Sequence, residues 1–390
     1  MLYWLVETFR PWLLDHNLYR FVGVLETQLQ FRALAAAGLS FAIVLLLGKP
    51  TIAWLTRMKI GDTGATDAEA LRVHADKKAN VPTMGGVLIV GAILGSVLLL
   101  ADLTQFYVLL GLIVVAWHAV LGAFDDWLKL TAKHRGTGSR QGLYAWEKLI
   151  FQLGVGLLVG WFCYQQAPPG SDDLRHVLNL PFQKTFVSAS EGPSPALWYL
   201  SMPLYIIFAC LMVSGMSNAV NITDGMDGLA AGISAVVAIG AFILCFVAGQ
   251  QGWAQYLLVP FVPNAGELTV LAGAMAGACL GFLWWNCSPA SVFMGDTGAL
   301  ALGGTLGYLA VVTRQEFVIL LMSGVFIIEI ASTTLQVGFF KATGGRRLFR
   351  IAPFHHNLQL RDWPEQQIVA RLWIVSVILV LAGLASIKLR

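Results

Sequence analysis

Stretches without Asp, Glu, Lys or Arg follow one another along the chain, at 79 to 101, 103 to 124, 149 to 171, 192 to 223, 228 to 266 and 268 to 295. A helix needs about 20 largely apolar residues to cross a bilayer, and no soluble core calls for so many runs of that length. The pattern predicts an all-α polytopic membrane protein. Ten spans are expected, at about 33 to 55, 84 to 101, 106 to 123, 149 to 166, 198 to 217, 229 to 249, 268 to 285, 298 to 312, 317 to 340 and 368 to 387. Residues 1 to 32 read differently, because Trp4, Trp12, Tyr19 and Phe21 stand among scattered charges. That mixture predicts an interfacial amphipathic segment ahead of a single membrane domain at 33 to 390. Glu7, Arg10 and Asp15 break any signal-peptide pattern, so the first span is expected to be retained.

Composition agrees: 57% of the 390 residues are hydrophobic and only 12% charged, against about 25% in a soluble chain. The 40 glycines are spread through the apolar runs, where small residues let membrane helices approach closely. Five cysteines without C-x-x-C spacing read as packing groups. A net charge of +3 with no cationic cluster interleaved with aromatics argues against nucleic acid as a partner. The distribution of charge is more informative than its sum. With ten spans, the loops after spans one, three, five, seven and nine share one face, and three of them hold fifteen Lys and Arg against eight in the opposite loops and termini. The positive-inside rule makes that face cytoplasmic and sends both termini outward.

Every unusual polar cluster falls in those five loops. Asp125-Asp126, followed by Lys129, puts two carboxylates at a span end with a lysine one helical turn on. This suits Mg²⁺, a hard cation that shares its shell with phosphate and water, and equally suits a solvated helix end. Asn218, Asn221, Asp224 and Asp227 recur every three residues, lining one side of a helical turn with oxygen donors, and Gly225 and Gly228 allow close backbone approach. Asp296 stands between Gly295 and Thr297-Gly298 at the start of a span, as a metal ligand beside free N–H groups or as a helix cap. Phe293 is a stacking platform or an interface anchor. His355 and His356 can serve as acid, base or phosphate donors. His74, Lys77 and Lys78, before Pro82-Thr83-Met84-Gly85-Gly86, could hold diphosphate or simply flank a span. Glu329 inside the ninth span must face protein or a water cavity. No Ser or Cys nucleophile motif and no P-loop occurs. Together these groups fit Mg²⁺-assisted phosphoryl transfer on a diphosphate, with a lipid as one substrate.

At these residues the chain resembles the polyprenyl-phosphate N-acetylhexosamine-1-phosphate transferases. The likeness runs from about residue 40 to the C-terminus, through Pro82-Thr83-Met84-Gly85-Gly86, Asp125-Asp126-x-x-Lys129, Asn218-Ala219-Val220-Asn221, Asp224-Gly225-x-Asp227-Gly228, Phe293-Met294-Gly295-Asp296, Leu335-Gln336-Val337-Gly338 and Ala352-Pro353-x-His355-His356. The C-terminal loop is similar to the muramoyl branch rather than the GlcNAc-1-phosphate branch. The resemblance implies transfer of phospho-MurNAc-pentapeptide from UDP-MurNAc-pentapeptide to undecaprenyl phosphate, giving lipid I and UMP, in a bacterial cytoplasmic membrane, with the active site formed by cytoplasmic loops. It implies that Asp296 and Asn221 ligate Mg²⁺, and that Asp125, Asp126, Asp296 and His355 are catalytic, the first two serving the phosphate acceptor. It further implies that Lys78, Thr83, Lys129, Asn218, Asn221, Asp224, Asp227, Phe293, Gln336 and His356 bind substrate. Direct attack by the acceptor is preferred over a covalent intermediate, since a phosphate monoester is already mostly ionised at pH 7.

The departures are Asn357 and Gln359, where the family pattern has a histidine and a glutamate, Asn80-Val81 in place of Gly-Thr, and a longer stretch from Lys133 to Gly142. Activity is expected to survive them because two histidines remain. A sister transferase using UDP-GlcNAc, a secondary transporter and a non-catalytic homologue are the competing readings. Oligomeric state is open, with a homodimer one outcome.

Overall fold

The computed structural model describes residues 1–58, 81–135, 142–167, 173–186 and 196–388, and among these it is helical with no strand. The helices that build the membrane domain are α1 (Leu29–Arg57), α2 (Gly86–Leu100), α3 (Phe106–Arg135), α4 (Ala145–Tyr164), α5 (Met202–Thr223), α6 (Leu229–Ala248), α7 (Leu268–Asn286), α8 (Gly295–Thr313), α9 (Glu316–Met322), α10 (Gly324–Ala342), α11 (Phe354–Gln359) and α12 (Glu365–Lys388). Eight helices among the described residues are long and apolar enough to cross a membrane. They cover eight of the ten expected spans. The other two positions carry α2, of 15 residues, and α8, of 19 residues. The count of ten is therefore not established.

α8 explains its own modest hydropathy. All its residues from Asp296 to Thr313 are buried, so it faces protein on every side and has no lipid-exposed face to fill with leucine. It lies against α3 and α5, which in turn packs on α4, while α7 lies along α1 and α6. A methyl group on Gly303 or Gly307 would run into the α5 backbone at Met216 and Met212, the close approach that small residues permit between membrane helices. The span expected at 317 to 340 is broken at Ser323 into α9 and α10. A Ser-Gly pair is a common cause of such breaks.

The N-terminal segment is four short helices, Leu2–Thr8, Arg10–Asp15, Tyr19–Val22 and Val24–Thr27, rather than one. Trp4, Phe9, Trp12 and Phe21 are exposed on it. At the same end of the bundle, Arg32 makes a two-pronged contact with Glu267 (2.5 and 2.8 Å) and donates to the Leu100 carbonyl at 3.3 Å. Asp102 N donates to the same glutamate at 3.2 Å. One ion pair thus joins the start of α1, the end of α2 and the start of α7. The side chains are only 4% and 14% exposed, and removing one member of a buried pair leaves the other charge uncompensated at a cost of about 3–5 kcal/mol. Arg32→Met is expected to lower the midpoint of thermal unfolding in detergent by several degrees. An unchanged midpoint would show that the pair adds no stability.

Candidate functional site

The chemistry assembles where the end of α3 meets the starts of α2, α4 and α8 and the end of α5. Asp125 and Asp126 are neighbours in sequence, but successive helical residues point about 100° apart, and the two carboxylates have separate partners. Asp126 turns toward α8. It accepts from Asp296 N at 3.1 Å, Thr297 N at 3.0 Å and Thr297 Oγ1 at 2.7 Å. The first N–H groups of a helix have no partner within it, so Asp126 caps α8 from a neighbouring helix and fixes where Asp296 stands. The residue before Asp296 has to be glycine. Gly295 has φ +71, and a Cβ there would lie 2.8 Å from Asp126 Oδ2 and 3.1 Å from Thr83 Oγ1. This contact also places Thr83 at the edge of the site. Two of the sequence motifs are joined backbone to backbone beside it: Phe293 N donates to Pro82 O, Gly85 N to Phe293 O and Gly86 N to Met294 O, each at 2.8 Å.

Asp125 faces the other way, into a compact group of charges. Its Oδ2 lies 2.7 Å from both Lys129 Nζ and Lys148 Nζ, and its Oδ1 accepts from Leu143 N at 2.7 Å. The same two ammonium groups reach Asp296, Lys129 at 3.1 Å and Lys148 at 2.5 Å. Asn221, near the end of α5, donates its amide to Asp296 Oδ1 at 2.9 Å. Two buried carboxylates are thus bridged by two lysines and flanked by an amide. Burial works to raise the carboxyl of Asp296, but Lys129 and Lys148 outweigh it and hold the group below the usual carboxylate range. Asp296 is therefore an anion throughout the physiological range.

Of the residues singled out in the sequence, Asp125, Asp126, Lys129, Asn221, Asp296 and Thr83 meet here. Of the remainder, those among the described residues are held by other contacts. Asn218 donates to Gln152 Oε1 at 2.6 Å. Asp224 ends α5. Asp227 is buried, accepts from Ala290 N at 3.1 Å and has its own N–H held by Glu365 at 2.9 Å, which ties the 287–291 turn to the start of α12. Phe293 is half-buried. Gln336 accepts from Leu348 N and Phe349 N, at 3.0 and 2.8 Å, and so shapes the loop after α10. His355 Nδ1 lies 3.1 Å from Glu329 Oε2, and His356 Nδ1 lies 2.7 Å from Gln359 Oε1. Lys78, with His74 and Lys77, lies outside the described residues.

Lys148 is one of the fifteen Lys and Arg that the sequence offers only as a signal of topology. A signal was available: it occupies the first turn of α4, where the positive end of the helix dipole disfavours a cation, so a lysine there calls for a carboxylate partner.

The chain matches the family Glycosyl transferase family 4 over residues 106–314. It is 38% identical over 391 aligned residues, spanning 100% of both chains, to a protein of Thermodesulfovibrio yellowstonii named phospho-N-acetylmuramoyl-pentapeptide-transferase. A protein of the same name from Desulfotalea psychrophila is 40% identical over 374 residues, 96% of each chain.

Proposed function

Because the chain belongs to the phospho-N-acetylmuramoyl-pentapeptide transferase family, we propose that it transfers phospho-MurNAc-pentapeptide from UDP-MurNAc-pentapeptide to undecaprenyl phosphate, yielding lipid I and UMP. The observation that carries the reading to particular residues is the convergence of Asp125, Asp296, Lys129, Lys148 and Asn221 at one end of a membrane bundle. In this reading that end faces the cytoplasm, where a nucleotide sugar is available, as the excess of Lys and Arg in its loops supports.

In the proposed reaction an oxygen of the acceptor phosphate attacks the sugar-bearing phosphorus, the diphosphate P–O bond breaks, and UMP leaves with the bridging oxygen. Negative charge grows on the phosphoryl oxygens and on that leaving oxygen. Lys129 and Lys148 already sit between two carboxylates and can pair with those oxygens as the charge develops. Asp125 has Leu143 N on one oxygen and both lysines on the other, so its part is to hold the cations rather than to take a proton. The acceptor does not need a base, since its second pKa lies near 6. Asp126 holds the start of α8 in register.

Mg²⁺ fits this donor set. Asp296 offers a carboxylate that stays ionised, and the amide nitrogen of Asn221 is spent on that carboxylate, leaving its oxygen as the donor. A few protein oxygens completed by phosphate and water are what Mg²⁺ takes. When bound, Mg²⁺ would neutralise charge on the diphosphate. Asp296 and Asn221 would hold it.

The test is UMP release by the purified chain with undecaprenyl phosphate and Mg²⁺, using UDP-MurNAc-pentapeptide or UDP-GlcNAc as donor. Turnover of the muramoyl donor alone is expected, lost on chelation and restored by added Mg²⁺. Turnover of UDP-GlcNAc alone would move the chain to the sister activity, and turnover that survives chelation would remove the metal from the reading.

A further inference from the structure

We propose that Glu329 is a positioning residue for His355, and that it makes His355 Nε2 the group presented to the diphosphate at the turn after α5. The proposal rests on the transferase reading above and deepens it. Glu329 lies on α10 and is fully buried, as is His355 in the first turn of α11. A carboxylate at that depth is costly unless it is paired. One of its oxygens, Oε2, receives two contacts from the same residue: His355 N at 3.3 Å and His355 Nδ1 at 3.1 Å. Backbone and ring are therefore fixed together, and Nδ1 carries the proton that faces the carboxylate.

A ring held by Nδ1 points Nε2 the other way. His355 Nε2 is buried and has no hydrogen-bond partner among the described residues. A buried polar atom without a partner costs about 1–3 kcal/mol, which is reasonable where a ligand supplies the missing bond. The direction is set by Gly225, at which a Cβ would stand 2.5 Å from Nε2. Gly225 belongs to the turn that follows α5, four residues after Asn221, which binds Asp296. Nε2 thus faces the same turn that carries the oxygen donors. With Nδ1–H on the carboxylate, Nε2 donates to a phosphoryl oxygen there when both ring nitrogens carry protons, and Glu329 is the anion placed to pair with that cation.

His356 is built differently. It is half-buried, and its Nδ1 meets the neutral amide of Gln359. His355 takes its carboxylate partner from α10.

The experiment uses the full chain in detergent with UDP-MurNAc-pentapeptide, undecaprenyl phosphate and Mg²⁺. Glu329→Gln keeps the shape but has no negative charge to pair with a ring protonated on both nitrogens. It is expected to lower kcat by about 100-fold, within the range of a lost acid–base contact, with KM for the nucleotide sugar changed less than threefold and thermal unfolding unchanged. His355→Gln is expected to lose at least as much, and Glu329→Gln/His355→Gln no more than His355→Gln alone, as for two groups acting as a unit. Gly225→Ala is a second route that leaves Glu329 untouched and stands if Glu329→Gln does not fold. The φ of Gly225 is not positive, so the added methyl acts through Nε2, and a kcat loss of about 100-fold is expected again. Losses that multiply in the double variant, or a kcat within threefold of wild type for Glu329→Gln or for Gly225→Ala, would overturn the inference. Wild type without turnover of any donor would overturn the transferase reading, and this inference with it.

Discussion

Asp296→Asn is expected to lower kcat by at least about 1000-fold, or about 4 kcal/mol of transition-state stabilisation, while the fold remains intact. The fold should survive because the bonds that anchor the residue are made by its backbone: Asp296 N and Thr297 N both donate to Asp126, and asparagine keeps them. What is lost is the charge. The Asp296 carboxylate faces Lys129 at 3.1 Å, Lys148 at 2.5 Å and the Asn221 amide at 2.9 Å. An amide in its place leaves two lysines with Asp125 alone, turns a balanced group into a cationic one, and removes the strongest candidate ligand for Mg²⁺. Removal of a single preorganised electrostatic group costs about 100- to 1000-fold in well-studied sites, and here the cation set and the metal ligand fail together. UMP release under saturating donor and acceptor measures the loss, and thermal unfolding in parallel checks the fold. A variant that keeps kcat within tenfold of wild type would remove Asp296 from the reacting centre.

The membrane architecture was legible because it rests on a signal that needs no tertiary information. Long uncharged runs marked the spans, of which eight have the length and hydropathy to cross a membrane, and the expectation that Asp125, Asp224, Asp296 and His355 share one face rests on the parity of all ten. Where the reading stopped short, the reason was geometry between helices. Asp125-Asp126 read as one carboxylate pair, yet rotation along α3 separates them, so that one holds lysines and the other caps α8. α8 did not meet the hydropathy expected of a span because it is surrounded by protein. His355 takes its carboxylate partner from another helix, 26 residues earlier in the chain, and no local pattern announces it. Asp227 was read as a ligand-facing residue of a three-residue repeat. Its bonds to Ala290 and Glu365 tie two distant segments together, which the repeat does not announce.

Lys148→Met is expected to separate the two cationic roles in the site. Lys148 sits in the first turn of α4, against the preference of the helix dipole, and is held there by Asp125 Oδ2 at 2.7 Å and Asp296 Oδ2 at 2.5 Å. Its side chain is 15% exposed, whereas that of Lys129 is 44% exposed. The charge of Lys129 is therefore the more screened of the two, and it cannot balance both carboxylates alone. Methionine fills the space of the lysine stem without the charge. Two effects of opposite sense follow. kcat should fall by about 100-fold or more, because one of two cations facing the diphosphate is gone. A divalent cation should bind about tenfold more tightly in the absence of nucleotide, because the ammonium that competed for Asp296 Oδ2 is gone. Titration with Mn²⁺, followed by electron paramagnetic resonance, reads the second effect without any turnover. Tighter binding with slower catalysis would identify Lys148 as a cation that gives way to the metal and then serves the phosphates. Binding that is unchanged or weaker would mean that the metal does not take the carboxylate that Lys148 holds, and Asp296 would have to be replaced as the proposed ligand.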